Sequence, residues 1–152
     1  ETDERMMVRL AALAFHAHTL QTVCGGDGTL AFGKGLSDPD EPDVWLRDFT
    51  GATRLWIEAG QPDEVALTKA CRQADQVALY AFSHAAEVWW KGIQTKLTRL
   101  SNLSVWRIPA EQLQALAALA QRSMQLQATL QEGTLMLGDG TRHVDVEPLR
   151  WK

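Results

Sequence analysis

The sequence predicts an α/β fold of the α+β kind: a mixed β-sheet flanked by helices, followed by a C-terminal β-meander. Three patterns support this fold class. An amphipathic helical segment comes first, strand-like and helical segments alternate through the middle, and short strand-like segments separated by glycine turns come last. A chain of 152 residues fits one domain, and we therefore expect a single domain over residues 1–152.

The first third of the chain predicts a helix, a loop and a hairpin. Apolar residues recur every three or four positions from Asp3 to about His18, and Thr2 or Asp3 can cap this helix. Residues 25–42 contain so many glycines, aspartates and prolines that they predict a long surface loop. Residues 44–46 and 54–59 have strand composition around the turn signal at 48–51, which predicts a β-hairpin.

The rest of the chain repeats a strand–helix alternation. A helix starts near Pro62 and runs to about Ala74, and the apolar run 77–82 follows as a buried strand. This βαβ unit predicts a parallel pair within the sheet. A helix over about 85–100, a strand over 103–108 and a helix over 112–121 continue the alternation. Turn signals at 131–133 and 138–140 divide residues 124–146 into the meander.

Composition limits the function classes and the location. Lys and Arg total 15 against 19 Asp and Glu, a net charge of −4, so a nucleic-acid partner would need a local basic patch or a metal site. No apolar run reaches the roughly 20 residues of a membrane helix, so no membrane partner is expected. Cys24 and Cys71 lie far apart, which favours a reducing compartment and predicts a cytoplasmic location. The start at Glu1 predicts a processed or truncated piece of a longer protein.

Two acids have the spacing of a nuclease site. Asp43 follows Pro42 at the start of the predicted hairpin, and Glu58 lies at its far end. Paired carboxylates at the ends of neighbouring strands can hold Mg²⁺, which would polarise a phosphodiester while a lysine stabilises the developing charge. The arrangement is similar to the PD-(D/E)XK pattern, but Gly60 stands at the position of the lysine. The nearest lysine is Lys69 on the next predicted helix.

Longer segments resemble one bacterial family. They are ERMMVRL at 4–10, GL at 35–36, DEPDVWL at 40–46, LWIEAGQPDE at 55–64, KAC at 69–71, NLSVW at 102–106 and MQLQAT at 124–129. These segments span nearly the whole chain, and they resemble the YaeQ family. The resemblance implies a restriction-endonuclease-like variant of the PD-(D/E)XK fold with Mg²⁺ as its cofactor.

The resemblance also implies site residues. Asp43 and Glu58 match the paired acids and would be the metal ligands, and Lys69 is the candidate displaced lysine. Gln73 is a helix partner for water or phosphate, and Glu4 resembles the extra acid of many nucleases of this fold. The chain departs from the family in two ways. The resemblance implies further strands before the first helix, which we expect to lie outside this sequence, and residues 65–66, Val-Ala, stand where an arginine is expected.

The resemblance leaves the cellular role unknown and two functions open. One is a Mg²⁺-dependent nuclease-like phosphodiesterase using Asp43 and Glu58 with the displaced Lys69. The alternative is a catalytically inactive nuclease-fold module that binds nucleic acid or a protein of the gene-expression machinery. A structural or protein-interaction domain is the third interpretation, and an exposed apolar patch would favour it.

Two other groups of residues have side chains typical of nucleic-acid-binding or metal sites. The densest basic stretch alternates with tryptophans, an arrangement that suits a single nucleic-acid strand. Its members are Lys91, Lys96, Arg99 and Arg107, with Trp89, Trp90 and Trp106. The alternative is that the tryptophans build the core and the cations form a solvated face. His16 and His18 are two apart on a helix and point in different directions, so we expect no shared metal.

Overall fold

The computed structural model describes residues 2–25, 27–35, 38 and 40–152. It is a mixed α+β structure with a six-stranded sheet, a separate three-stranded sheet, and helices on both faces of the larger sheet. The helices are α1 (Asp3–Phe15), α2 (Thr19–Cys24), α3 (Glu64–Gln73), α4 (Ala86–Leu97) and α5 (Ala110–Ala118). The strands are β1 (Gly28–Phe32), β2 (Val44–Asp48), β3 (Thr53–Ala59), β4 (Gln76–Ala81), β5 (Leu103–Arg107), β6 (Gln127–Gln131), β7 (Thr134–Gly138), β8 (His143–Val146) and β9 (Leu149–Arg150).

The large sheet has the order β1-β2-β3-β4-β5-β9. Strands β2 and β3 form the predicted antiparallel hairpin, with Val44 opposite Ile57. Strands β3, β4 and β5 run parallel, joined by α3 and α4. The predicted βαβ alternation is therefore confirmed, and it contributes three parallel strands rather than a pair. Their carboxyl ends meet at one edge of the sheet.

Two apolar cores lie on opposite faces of this sheet. Strand β4 shows the division, because Ala78 and Tyr80 belong to one core while Val77 and Leu79 belong to the other. Helices α1 and α5 and the small sheet cover the first face. Helices α3 and α4 cover the second. The sheet is thus buried on both sides, as expected for parallel strands.

The predicted loop at 25–42 contains a strand, and that prediction was wrong in this respect. Strand β1 pairs antiparallel with β2 along its whole length, with Leu30 opposite Leu46. The segment does not alternate in burial, and glycines flank it on both sides, so its sequence lacks a strand pattern. As an edge strand it obtains its partner from β2, so local propensity contributes little. Gly26, Leu36, Ser37 and Pro39 of the predicted loop lie outside the described residues.

Smaller differences concern element ends. Helix α1 stops at Phe15, and the separate α2 begins at Thr19, whereas one helix was predicted to about His18. The C-terminal meander is confirmed as β6-β7-β8, and Glu132 and Gly133 both adopt positive φ in its first turn. Strand β9 then returns to the large sheet, which the sequence did not indicate. No helix in the described part of the chain is long and apolar enough to cross a bilayer.

Candidate functional site

The structure brings Asp43 and Glu58 together at the carboxyl edge of the parallel strands. Asp43 immediately precedes β2, and its main-chain N–H donates to the carbonyl of Ile57 at 3.1 Å. Its side chain is 1% exposed, and Oδ2 accepts a hydrogen bond from the main-chain N–H of Ala59 at 2.7 Å. Main-chain and side-chain bonds together hold this carboxylate beside the end of β3.

Two arginines from α1 point at Asp43. Arg5 donates from Nη2 to Asp43 Oδ1 at 2.6 Å and from Nη1 to the carbonyl of Ala59 at 2.7 Å. Arg9 places Nε 3.5 Å from the same Oδ1 and donates from Nη2 to the carbonyl of Gly33 at 2.9 Å. Positions i and i+4 lie on one face of a helix. Both guanidinium groups therefore reach one carboxylate and hold α1 against the sheet edge.

The surroundings of Glu58 raise its pKa. Its Oε1 accepts a hydrogen bond from the Trp56 indole N–H at 2.9 Å. Burial raises the pKa of Glu58 to about 7, and the charge of Asp43 and a hydrogen bond between the two side chains raise it as well. The Trp56 bond and the Arg5 charge act in the opposite direction. At neutral pH Glu58 is therefore protonated part of the time.

A glycine makes room for the Asp43 carboxylate. Gly35 has a φ of +55°, and a Cβ at this position would lie 2.3 Å from Asp43 Oδ1. The chain therefore passes over the acid only because this residue lacks a side chain. Residues 33–35 (Gly-Lys-Gly) therefore pack against the acid site.

The other predicted site residues lie apart from the acid pair. Lys69 Nζ forms an ion pair with Asp40 Oδ1 at 2.7 Å, and both side chains are exposed. Gln73 is exposed at the end of α3, and Glu4 is exposed in the first turn of α1. It is the next residue, Arg5, that turns to the acids. The catalytic roles given to Lys69, Gln73 and Glu4 stay predictions.

The residues in place do not fit a divalent cation as they are arranged. Mg²⁺ needs oxygen ligands with open lone pairs, but Asp43 Oδ1 and the Ala59 carbonyl already accept hydrogen bonds from Arg5. In the described part of the chain no group of three or more His, Cys, Asp or Glu is placed to hold a metal. The guanidinium stands among the oxygens that a cation would require. Mg²⁺ binding by Asp43 and Glu58 stays a prediction.

The predicted basic and aromatic stretch divides into buried and exposed parts. Arg107 is buried and donates to the carbonyl of Ser83 at 2.8 Å, so it does not belong to the surface. Arg99 is exposed but forms an ion pair with Glu64 at 3.1 Å. Lys91 and Lys96 are exposed on α4. Trp89 donates its indole N–H to the carbonyl of Pro62 at 3.0 Å, which fixes it as a packing residue.

A cavity opens where α4 meets the C-terminal segment. Trp90 and Trp151 stack with ring centroids 5.7 Å apart and planes 17° apart. A cavity of about 390 Å³ is lined by both rings and by four polar side chains. The polar side chains are Gln94, Thr95, Thr98 and Lys152. This second arrangement combines aromatic surface, hydrogen-bonding groups and a cation.

Sequence analysis missed Arg5, Arg9 and Trp151. The signal for the two arginines was their i and i+4 spacing opposite the apolar stripe of α1, a pattern that otherwise reads as a solvated face. Trp151 gave no signal, because only β9 brings it to α4. His16 is half-buried, its Nε2 lies 2.8 Å from the Tyr80 hydroxyl, and burial lowers its pKa to about 4.

Comparisons with known proteins agree on one family. A family model described as YaeQ protein matches residues 1–148. The "Uncharacterized protein YaeQ" of Escherichia coli (strain K12) and that of Salmonella typhi are each 43% identical over 153 aligned positions, which cover all of this chain and 80% of each relative.

Solved structures show the same likeness. The YaeQ protein from Xanthomonas axonopodis pv. citri aligns with a TM-score of 0.87 and 38% identity, covering all of this chain and 81% of that one. The YaeQ protein from Pseudomonas syringae aligns with a TM-score of 0.87 and 32% identity, covering 100% and 79%. The chain therefore belongs to the YaeQ family.

Proposed function

We propose that this protein is a nuclease-like module that binds single-stranded nucleic acid. The observation that carries the proposal is the cavity that the stacked rings of Trp90 and Trp151 line together with polar side chains. Aromatic side chains beside cations form the standard surface for a single strand, since every base has a face that stacks. The acid pair Asp43 and Glu58 supports a relationship to the PD-(D/E)XK fold.

The groups around the cavity match the parts of a nucleotide. A base can stack on the exposed indole surface of Trp90 or Trp151. Gln94, Thr95 and Thr98 offer amide and hydroxyl groups for its edge, and Lys152 offers an ammonium group for a phosphate. Lys91, exposed on the same helix as Trp90, adds a second cation. These cations form the local basic patch that a chain with a net charge of −4 needs in order to bind nucleic acid.

Stacking on Trp90 is tested by measuring affinity for labelled single-stranded DNA and RNA by fluorescence anisotropy. We expect Trp90→Leu to weaken binding by about tenfold, because stacking on an aromatic ring contributes roughly 1–3 kcal/mol per base. Trp45→Leu is the matched control. Trp45 is also half-buried, but it lies on β2 with the Arg47 guanidinium 3.9 Å from its ring centroid, and its loss should leave affinity unchanged.

Equal affinities of wild type and Trp90→Leu would contradict the proposal, as would absence of binding by the wild type at low salt. In that case the nuclease-shaped scaffold would serve a protein partner instead. The exposed Val65 and Val88 on α3 and α4 would then be the first surface to test.

One observation favours phosphodiester hydrolysis as a second candidate function. The carboxyl groups of Asp43 and Glu58 are in contact, as a pair of metal ligands or an acid–base pair would have to be. This function requires Arg5 to release Asp43 so that a metal can bind. If it holds, the wild type cleaves a single-stranded substrate in Mg²⁺ or Mn²⁺, and Glu58→Ala does not. Lys69→Ala would lower cleavage only if Lys69 in the wild type leaves its ion pair with Asp40 to reach the acid pair. Absence of cleavage by the wild type would leave binding as the function.

A further inference from the structure

We infer that Arg5 is the resident cation of the acid site and occupies the position that a divalent metal would need. The inference does not depend on nucleic-acid binding. It comes from the disagreement between a carboxylate pair, which the fold class associates with a metal, and the side chain that stands beside it.

The Arg5 guanidinium lies between a side-chain oxygen and a main-chain oxygen. Arg5 bridges the side chain of Asp43 and the main chain of Ala59 with two hydrogen bonds of 2.6 and 2.7 Å. The positive charge of Arg5 also lowers the pKa of Glu58, the residue before Ala59. The oxygens of β3 and of the segment before β2 therefore converge on a cation that the chain itself supplies.

The charges exclude a second cation while Arg5 is in place. Arg5 and Arg9 contribute two positive charges beside Asp43. A divalent ion would meet repulsion from both guanidinium groups at short range, where the side chains are 13% and 16% exposed and solvent screens little. The site thus carries its counter-charge permanently and fixes α1 to the sheet edge.

Removing Arg5 should convert this arrangement into a metal site. We would titrate Mn²⁺ into wild type, Arg5→Met and Arg9→Met by calorimetry, and record the unfolding temperature with and without Mn²⁺. We expect Arg5→Met to bind one Mn²⁺ per chain at least about tenfold more tightly than the wild type. Its unfolding temperature should rise with Mn²⁺. Adding Glu58→Gln to Arg5→Met should abolish both effects.

Arg9→Met is the matched control. It removes an equal charge beside the same carboxylate but leaves Arg5 between Asp43 and Ala59. Arg9→Met relieves part of the repulsion but leaves these oxygens bonded to Arg5, so it should gain much less Mn²⁺ affinity than Arg5→Met. If Arg5→Met does not fold, judged by circular dichroism, Arg5→Gln retains a donor that can hold α1, and the same expectation applies to it.

Two results would overturn the inference. One is a folded Arg5 variant that binds Mn²⁺ no more tightly than the wild type. The other is tight, Glu58-dependent binding of Mn²⁺ by the wild type, which would show that Arg5 gives way to a metal. Neither result bears on stacking at Trp90, which lies on α4 under the opposite face of the sheet from α1.

Discussion

At the scale of single residues, the two acids at one sheet edge have different hydrogen-bond partners. Asp43 accepts hydrogen bonds from Arg5 and from the main chain of Ala59, whereas Glu58 has one indole donor and a neighbouring carboxylate. The surplus proton of the pair therefore resides on Glu58. A buried carboxyl group with a pKa near the ambient pH is unusual enough to mark a candidate site.

The raised pKa of Glu58 predicts a stability change between pH 4.5, its ordinary value, and pH 7. Over this window the folded chain binds more protons at Glu58 than the unfolded chain, so this contribution is present at low pH and is lost as pH rises. Glu58→Gln should therefore be more stable than the wild type at pH 8 by about 1–2 kcal/mol, and nearly equal at pH 4.5. Urea unfolding at both pH values measures this. A constant difference would contradict the assignment.

Loss of Asp43 should be far more costly than loss of an exposed acid nearby. Asp43→Ala leaves the guanidinium groups of α1 without their carboxylate in a mostly buried site, which typically costs about 3–5 kcal/mol. Asp40→Ala removes only the exposed ion pair with Lys69 and should cost less than about 1 kcal/mol. Chemical unfolding of the two variants provides the comparison. Similar losses would show that Asp43 is not the anchor of α1.

At the scale of elements, the acid site is where a helix, a loop and two strands meet. Helix α1 supplies the arginines, and the segment after β1 supplies Gly33 and Gly35. Asp43 immediately precedes β2, and β3 supplies Glu58 and the main-chain donor of Ala59. Residues 33–35, which follow β1, are therefore part of the site. Their glycines are required by close approach as well as by turn geometry.

Gly35→Ala tests this close approach. We expect it to destabilise the fold by more than about 2 kcal/mol, because its Cβ would meet Asp43 Oδ1 and its φ disfavours any side chain. Gly25→Ala is the matched control: its φ of +61° carries a similar backbone strain, but nothing lies within 4 Å. It should cost about 1 kcal/mol. Equal thermal shifts in the two variants would show that the contact with Asp43 is unimportant.

At the scale of the whole molecule, charge is distributed unevenly. The chain carries a net charge of −4, yet Lys152 lines the Trp90–Trp151 cavity and Lys91, the residue after Trp90, is exposed on α4. A local patch of this kind can bind only a short stretch of a strand, because the remaining surface repels phosphates. The protein is therefore expected to bind with few ionic contacts and to depend largely on stacking.

The salt dependence of binding follows from this distribution. With two phosphate contacts, the logarithm of the association constant should fall with the logarithm of salt concentration with a slope of about −1.4. Lys91→Ala should reduce the magnitude of this slope by about 0.7. Anisotropy titrations at several salt concentrations determine both slopes. A much steeper slope would indicate an extended basic surface elsewhere on the molecule.

Local sequence patterns determined much of the fold. The βαβ alternation, the β2–β3 hairpin and the meander follow from periodicity and turn residues, which act over a few positions. The same patterns identified Asp43 and Glu58 as neighbours. They did not identify β1, whose partner is β2, or the short β9, because an edge strand depends on hydrogen bonds from a distant segment.

Only the tertiary structure decided the state of the site. It showed that Arg5 stands between Asp43 and Ala59, that Lys69 pairs with Asp40, and that Trp151 stacks on Trp90. The sequence determined which chemical groups are present and which strand ends carry the acids. Whether a carboxylate meets a metal, a proton or a guanidinium depends on side chains that are far apart in the chain, and packing alone brings them together.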